Sequence, residues 1–284
     1  MGEPGDYSFD SRPAPRAPAP AGPPLWPILA AAALLAVLAG LWYLGSRQST
    51  PSPEPAPRAV AQTTVDRPRG AAVPGDKIDL PPLDETDTLI RTLVGRLSSH
   101  PAVAAWLTTN GLIRNATVVV ANIADGETPA KHLAPLKPRA PFSTSTSRGL
   151  TWIDPISYRR YDAIGDAIDG LDPRGVARFY ATIKPRVDDA YHDLVGADGN
   201  FDRTLERAIV MLLRVPLVET DVQLVTGKMS YAYANPSFQD LTAAQRQLLR
   251  MGPRNVRIVQ AKLRAVAGFL GIPETALPAP GGDP

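Results

Sequence analysis

The sequence predicts an α+β protein: a mostly α-helical globular domain with two small β-hairpins, preceded by one N-terminal transmembrane helix. Three observations support this prediction. Residues 25–44 form an uncharged apolar stretch, apolar residues recur at helical spacing over most of residues 81–272, and two short segments alternate around a turn. The 284 residues contain 44% hydrophobic residues, enough for one packed core with terminal appendages.

The N-terminal part of the chain is expected to be an anchor and a spacer. Residues 1–24 are rich in proline and alanine and predict a disordered tail. Leu25–Leu44 contains twenty residues without a charge, long enough to cross a bilayer as a helix. A cleaved signal peptide usually has a shorter apolar region, so we interpret the stretch as a permanent single-span anchor. The proline-rich residues 45–80 predict an extended spacer.

The first half of the globular domain is expected to be mainly helical. Residues 84–100 predict a helix that Asp84 caps, and a second short helix should follow Pro101. Residues 112–126 fit either a strand or a helix, and we favour a helix. Residues 141–154 alternate in polarity and turn at Arg148-Gly149, which predicts the first hairpin.

Capping residues place the helices of the second half. Asp154-Pro155 should open a helix that runs to about Ile168, and Asp172-Pro173 should open the next one. A further helix follows residue 200 and ends before Pro216, and the second hairpin is centred on Gly227. Thr242 and Gln245 predict a capping box for the last pair of helices, which breaks at Gly252-Pro253 and ends near Leu270. Residues 273–284 should form a disordered tail.

The last pair of helices carries a basic stretch without an acidic residue, although the chain as a whole has a net charge of only +2. Its apolar residues fall on one side of a helical wheel, so the basic side chains should point away from the core. They could form a solvated face or dock on acidic helices of the same domain. They could also bind an anionic partner or nucleic acid. The candidate partner-binding residues are Arg246, Arg250, Arg254, Arg257, Lys262 and Arg264.

One polar cluster is a weaker candidate for catalysis. Asp188 and Asp189 precede His192 by four and three residues, so all three side chains would share one side of a helix. A carboxylate that orients a histidine occurs in general-base and metal sites. Because no second histidine lies at ligand spacing, an acid-rich helix surface is the competing interpretation.

Other signatures of chemistry are missing from the sequence. The chain has no cysteine, no phosphate-binding glycine loop and no metalloprotease motif. Asp198, Asn200 and Asp202 resemble half of a calcium loop, but the position that should supply a bidentate glutamate is Ile209. We therefore interpret this segment as a helix cap and expect no metal and no cofactor.

Several segments together resemble the bacterial family known as domain of unknown function 3014. They are "LPPLDETD" at 80–87, "HPAVAAWL" at 100–107, "GLIRN" at 111–115, "KHL" at 131–133, "DPISYRRYD" at 154–162, "DGNFDRTLERAI" at 198–209 and "LTAAQRQLLRMGPRNVRIVQAKLR" at 241–264. The resemblance implies a single-span envelope protein of Gram-negative bacteria, and it implies no activity.

The sequence therefore predicts an envelope binding or scaffold protein, single-pass in the bacterial inner membrane with its domain in the periplasm. Basic residues are balanced on the two sides of the span, so the orientation rests on the size of the downstream domain. The expected partner is a protein or another envelope component. An envelope enzyme that uses the Asp/His cluster is the alternative, as is a nucleic-acid-binding protein if the domain is cytoplasmic.

Overall fold

The computed structural model describes residues 72–227 and 230–279. The predicted N-terminal tail, the predicted transmembrane helix and most of the predicted spacer lie outside the described residues. Within the two described ranges, no helix combines the length and the apolar character needed to cross a bilayer.

Ten α-helices and four β-strands make up the described part of the chain. The helices are α1 (Asp87–Leu97), α2 (Pro101–Trp106), α3 (Leu112–Ala124), α4 (Ile156–Arg159), α5 (Asp162–Asp169), α6 (Pro173–Val195), α7 (Phe201–Leu213), α8 (Pro236–Gln239), α9 (Ala243–Leu249) and α10 (Gly252–Phe269). The strands are β1 (Thr144–Ser147), β2 (Leu150–Ile153), β3 (Gln223–Thr226) and β4 (Tyr231–Tyr233). Short 3-10 turns cover Leu83–Glu85, Ala130–Leu136 and Glu274–Ala276. The predicted mostly helical α+β class is confirmed for this part.

The two predicted hairpins join into one antiparallel sheet with the strand order β1-β2-β3-β4. Arg148 and Gly149 form the predicted turn, and both have positive φ, which suits a tight hairpin. Pairing of Trp152 with Gln223 links the hairpins. They join because Ile153 and Leu224 point to the same side of the sheet, where both are buried.

The helical core has two main clusters. One lies between α1, α3, α6 and α7, and the other between α5, α9 and α10. The buried residues of the first are Ile90, Leu112, Ile113, Ala121, Ile183, Val187, Ala190, Tyr191 and Phe201. Those of the second are Tyr161, Val215, Leu248, Leu249, Met251, Val256 and Val259. Periodic apolar faces of the predicted helices thus form the core.

Most of the predicted caps are present. The side chain of Asp172 accepts hydrogen bonds from the amides of Arg174 and Gly175 at the start of α6. Thr242 and Gln245 form the capping box of α9, and Asn200 caps α7, which confirms the interpretation of residues 198–202 as a helix cap. The ambiguous residues 112–124 form helix α3, as favoured.

The structure differs from the prediction at two of the expected helices. The helix expected from Asp154 to Ile168 is two helices, because the chain turns at Arg160 and Tyr161 and the Tyr161 side chain enters the core. Asp84 does not cap α1 but lies in the preceding 3-10 turn. Asp87 in the first turn of α1 instead accepts hydrogen bonds from the amides of Gly111 and Leu112, 2.9 and 2.8 Å away, at the start of α3.

Residues 72–82, which we call the strap, lie along α6. The amide of Asp76 donates to Thr182 Oγ1 at 2.9 Å, and Arg186 donates to the carbonyls of Leu80 and Pro81. The strap includes the last residues of the predicted spacer, and three of its backbone polar groups are paired with side chains of α6. Packing also continues beyond residue 272, because Leu277 is buried beside α7 and α10.

Candidate functional site

The basic residues of α9 and α10 contact other parts of the same domain. Arg254 lies beside α5, where its Nη2 is 2.5 Å from Asp166 Oδ1 and its Nη1 is 3.6 Å from Asp162. The hydrogen bond with Asp166 and the charges of Asp162 and Asp169 raise the pKa of Arg254. Arg257 pairs with Glu219 in the same way. These contacts correspond to docking on acidic segments of the domain, one of the arrangements considered from the sequence.

The other basic side chains mainly bind backbone carbonyls. Lys262 Nζ donates to the carbonyls of Asp169 and Leu171, at 2.7 and 2.6 Å, and so satisfies the C-terminal end of α5. Arg246 donates to the carbonyls of Gln239 and Leu241, while Arg264 pairs with Glu274 at 2.9 Å. The exposed Arg250 lies by Tyr233. Burial raises the pKa of Tyr233, and this arginine offsets part of the increase. The basic stretch therefore has structural roles that need no external partner.

The predicted polar cluster is not assembled as an acid/base site. The carboxylate of Asp188 binds Lys184 Nζ at 2.8 Å, and that of Asp189 binds Arg186 at 2.7 Å. The Nε2 atom of His192 lies 3.1 Å from the carbonyl oxygen of Gly199 and closes the turn between α6 and α7. In the described ranges, no group of three or more metal-ligating side chains could hold a metal ion.

A groove on another side of the domain has a wholly apolar lining. It lies between α1, α2, α5 and the start of α6, with the 3-10 turn at Ala130–Leu136 on one side, and its volume is about 290 Å³. The residues that line it are Val94, Leu97, Ala102, Val103, Trp106, Leu136, Ile164, Ala167, Ile168, Leu171, Val176 and Phe179. A concave site of this size and lining suits an apolar ligand.

Trp106, one of the lining residues, has a side-chain nitrogen without a partner among the described residues. The indole Nε1 of Trp106 is buried, and no acceptor for its proton lies in the described part of the chain. A buried donor without an acceptor costs about 1–3 kcal/mol. The exposed surface of the groove is wholly apolar, so this N–H is not presented to a ligand there.

Charged residues are arranged unequally around the groove. The acidic side of α5 is turned to Arg254, so its apolar side, with Ile164 and Ile168, is left to the groove. Three basic residues, Arg96, Lys137 and Arg178, are neighbours in sequence of groove residues and are exposed. Among the described residues these three side chains form no ion pair, in contrast to Arg254, Arg257 and Arg264 of α10.

Exposed acidic residues are sequence neighbours of the lining as well, but Asp166 pairs with Arg254, Asp172 caps α6 and the charge of Asp169 acts on Arg254. The three basic residues without an ion pair could therefore attract an anionic group of a ligand.

The sequence contains each of these residues but does not indicate the groove. Val94 and Leu97 belong to the predicted apolar face of α1, and that face looks the same in sequence whether a neighbouring element covers it or not.

The family model described as "Protein of unknown function (DUF3014)" matches residues 112–267, more than half of the chain. The chain belongs to this family. The match covers the sheet and helices α3 to α9 with most of α10, and therefore the wall of the groove that α5 and α6 form. The wall formed by α1 and α2 precedes the matched part of this DUF3014 protein. Comparisons with curated proteins and with solved structures give no match.

Proposed function

We propose that this DUF3014 protein is a membrane-tethered binding protein whose domain holds a long-chain fatty acid. The observation that carries the proposal is the groove, in which all twelve lining residues are apolar. Burial of an alkyl chain against such a lining is favourable by about 25 cal/mol for each Å² removed from water. A volume of about 290 Å³ suits one chain rather than the two chains of a phospholipid.

The basic residues near the groove support a fatty acid over a neutral hydrocarbon. Arg96, Lys137 and Arg178 could pair with the charge of a carboxylate at the rim. We assign recognition of the carboxylate to Arg96, Lys137 and Arg178 because the basic side chains of α9 and α10 already contact other groups of the domain.

The sequence supports the tether. The uncharged stretch Leu25–Leu44 has the length of a membrane span, and residues 45–71 could hold the domain away from the bilayer. We place the anchor in the bacterial inner membrane and the domain in the periplasm, where acyl chains of the membrane lie within reach. In this proposal the protein binds or carries its ligand and performs no reaction on it.

A crosslinking experiment tests the proposal directly. The full-length protein in lipid nanodiscs is mixed with a diazirine-bearing palmitate analogue, irradiated and digested, and the labelled peptides are identified by mass spectrometry. Label should appear on α1, α2 and α5 and disappear with excess palmitate. Hexadecanol, which lacks the charge, should compete less well.

Two substitutions in the same helix form a matched pair for this experiment. Ala102 lines the groove, and Ala102→Trp should fill it and prevent labelling. Ala104 is exposed and outside the lining, so Ala104→Trp should leave labelling unchanged. Equal labelling of the two variants, in proteins that unfold at the same temperature, would contradict the proposal.

A further inference from the structure

The outer face of the sheet carries a second set of exposed side chains that the fold does not use. Strand register places Trp152 beside Gln223, and Leu150 and Val225 lie on the same face, each two residues along its strand from that pair. Leu150 is 44% exposed and Val225 is 48% exposed, whereas Ile153 and Leu224 on the inner face are buried. The two central strands thus present Leu150 and Val225 on this face and, one row along, Trp152 and Gln223.

Two cavities meet at Trp152 and share a carboxylate. One, of about 520 Å³, extends toward Arg148 and Leu150, and the other, of about 340 Å³, extends toward Asn235 and Phe238. Trp152 and Asp221 line both of them. Asp221 is the only charged residue in the lining of the second cavity, and its carboxylate is exposed. In the described ranges it forms no ion pair.

An aromatic ring next to an exposed carboxylate is suited to an organic cation. A guanidinium or ammonium group is attracted to the face of an indole by about 0.5–2 kcal/mol, and Trp is the strongest of the aromatic side chains in this respect. The carboxylate of Asp221 adds an ion pair and hydrogen-bond acceptors. Arg148 lies at the opposite end of the first cavity, so a cation should bind near Asp221 and away from the turn.

We propose that this face binds an extended peptide segment of a partner protein that carries an arginine or a lysine. The basic side chain lies over Trp152 and pairs with Asp221, and an apolar side chain two residues along covers Leu150 and Val225. Successive rows of a sheet face are about 7 Å apart, which equals the separation of residues i and i+2 in an extended peptide. The site is independent of the fatty-acid groove, which lies among α1, α2, α5 and α6.

A peptide-binding measurement tests this inference. The probe is a dye-labelled peptide of serines with one arginine and one leucine two residues apart, and its fluorescence anisotropy is measured with the full-length protein in nanodiscs. The same peptide with citrulline instead of arginine keeps the shape and loses the charge. The arginine peptide should bind about tenfold more tightly than the citrulline peptide.

Variants locate the binding. Asp221→Asn and Trp152→Leu should each remove most of the preference for arginine, while Asp198→Asn, an exposed aspartate in the turn before α7, should keep it. Ala102→Trp should also keep it, which separates this site from the groove. The proposal is overturned if both peptides bind wild-type protein equally or not at all. It is also overturned if Trp152→Leu dissociates a dimer of the protein, or if a soluble oligosaccharide, not the peptide, binds at Trp152.

Discussion

The ring of Tyr158 lies directly against Gly252, at the point where α9 ends and α10 begins. A Cβ atom placed on Gly252 would be 2.4 Å from Tyr158 Cγ, and Gly252 also has a φ of +79°. Both the close approach and the backbone conformation therefore require glycine here. The contact fixes the sheet side of the domain against the first turn of α10.

We expect Gly252→Ala to destabilise the protein by about 2–4 kcal/mol, because strain at a positive φ adds to displacement of the half-buried Tyr158 ring. Gly268→Ala in the same helix is the matched control. Nothing lies within 4 Å of an added Cβ at Gly268, so alanine should stabilise α10 slightly, by up to about 1 kcal/mol. Urea unfolding followed by circular dichroism measures both, and equal midpoints for the two variants would contradict this account.

The cap that Asp87 provides gives a second prediction. Asp87→Ala leaves the amides of Gly111 and Leu112 without their carboxylate acceptor and should cost about 1–2 kcal/mol. Asp84→Ala removes an 82% exposed carboxylate that pairs with Arg114, and it should cost less than about 1 kcal/mol. Thermal unfolding of the two variants distinguishes them, and an equal loss would show that the cap adds nothing beyond a surface ion pair.

These two contacts illustrate what the sequence could and could not indicate. Asp172 and Thr242 cap helices that begin within three residues of them, so their sequence neighbours were enough to predict them. Asp87 caps a helix that begins 25 residues later, and that depends on how α1 packs against α3. A local pattern cannot contain such information.

The candidate site shows the same limit. Helical spacing placed Val94 and Leu97 on an apolar face, but it could not show that this face borders a groove. The basic residues of α10 were correctly expected outside the core. Asp166, the partner of Arg254, lies 88 residues earlier in the chain, and only the packing of α5 on α10 brings the two side chains together. The split between α4 and α5 has no breaker residue, so the sequence predicted one helix.

Two half-buried tyrosines between the sheet and α10, Tyr158 and Tyr233, predict a pH dependence. Burial raises the pKa of Tyr158 to about 12, from an ordinary value of about 10. Between these values the unfolded chain loses the proton while the folded protein keeps it. Stability from this group is therefore complete below pH 10 and is lost as the pH rises toward 12.

Tyr158→Phe should reduce this loss, because the ring that packs on Gly252 is kept and the ionisable group is removed. The measurement is the urea midpoint at about pH 8.5 and about pH 11 for wild type and variant. Burial also raises the pKa of Tyr233, so part of the decrease should remain. A variant whose midpoint decreases as much as that of wild type would contradict the role of Tyr158.

Lys262 and Arg257 test whether the basic residues of α10 stabilise the fold. Lys262→Met keeps the aliphatic stem but removes the ammonium group that donates to the carbonyls of Asp169 and Leu171 at the end of α5. The substitution should lower the free energy of unfolding by about 1 kcal/mol. Arg257→Gln breaks a pair in which both side chains are more than half exposed, and it should cost less than about 0.5 kcal/mol. If the two substitutions have the same effect on the unfolding midpoint, the helix-end contact of Lys262 is not stabilising.

The strap predicts an effect of a single methyl group on the stretch that leads into the domain. A Cβ on Gly75 would be 2.5 Å from the backbone nitrogen of Thr182, and backbone atoms of a helix cannot move aside. Gly75→Ala should therefore separate the strap from α6 and break the hydrogen bond of the Asp76 amide. Hydrogen exchange of residues 72–82 should become faster, while that of α3 and α7 stays slow, because these helices do not depend on the strap. Gly95→Ala on α1 places its Cβ where nothing lies within 4 Å and serves as the control, with exchange of the strap unchanged.

Unchanged protection of the Asp76 amide in Gly75→Ala would show that the strap is not held by this contact. Faster exchange throughout the domain would show instead that the strap is part of its cooperative core.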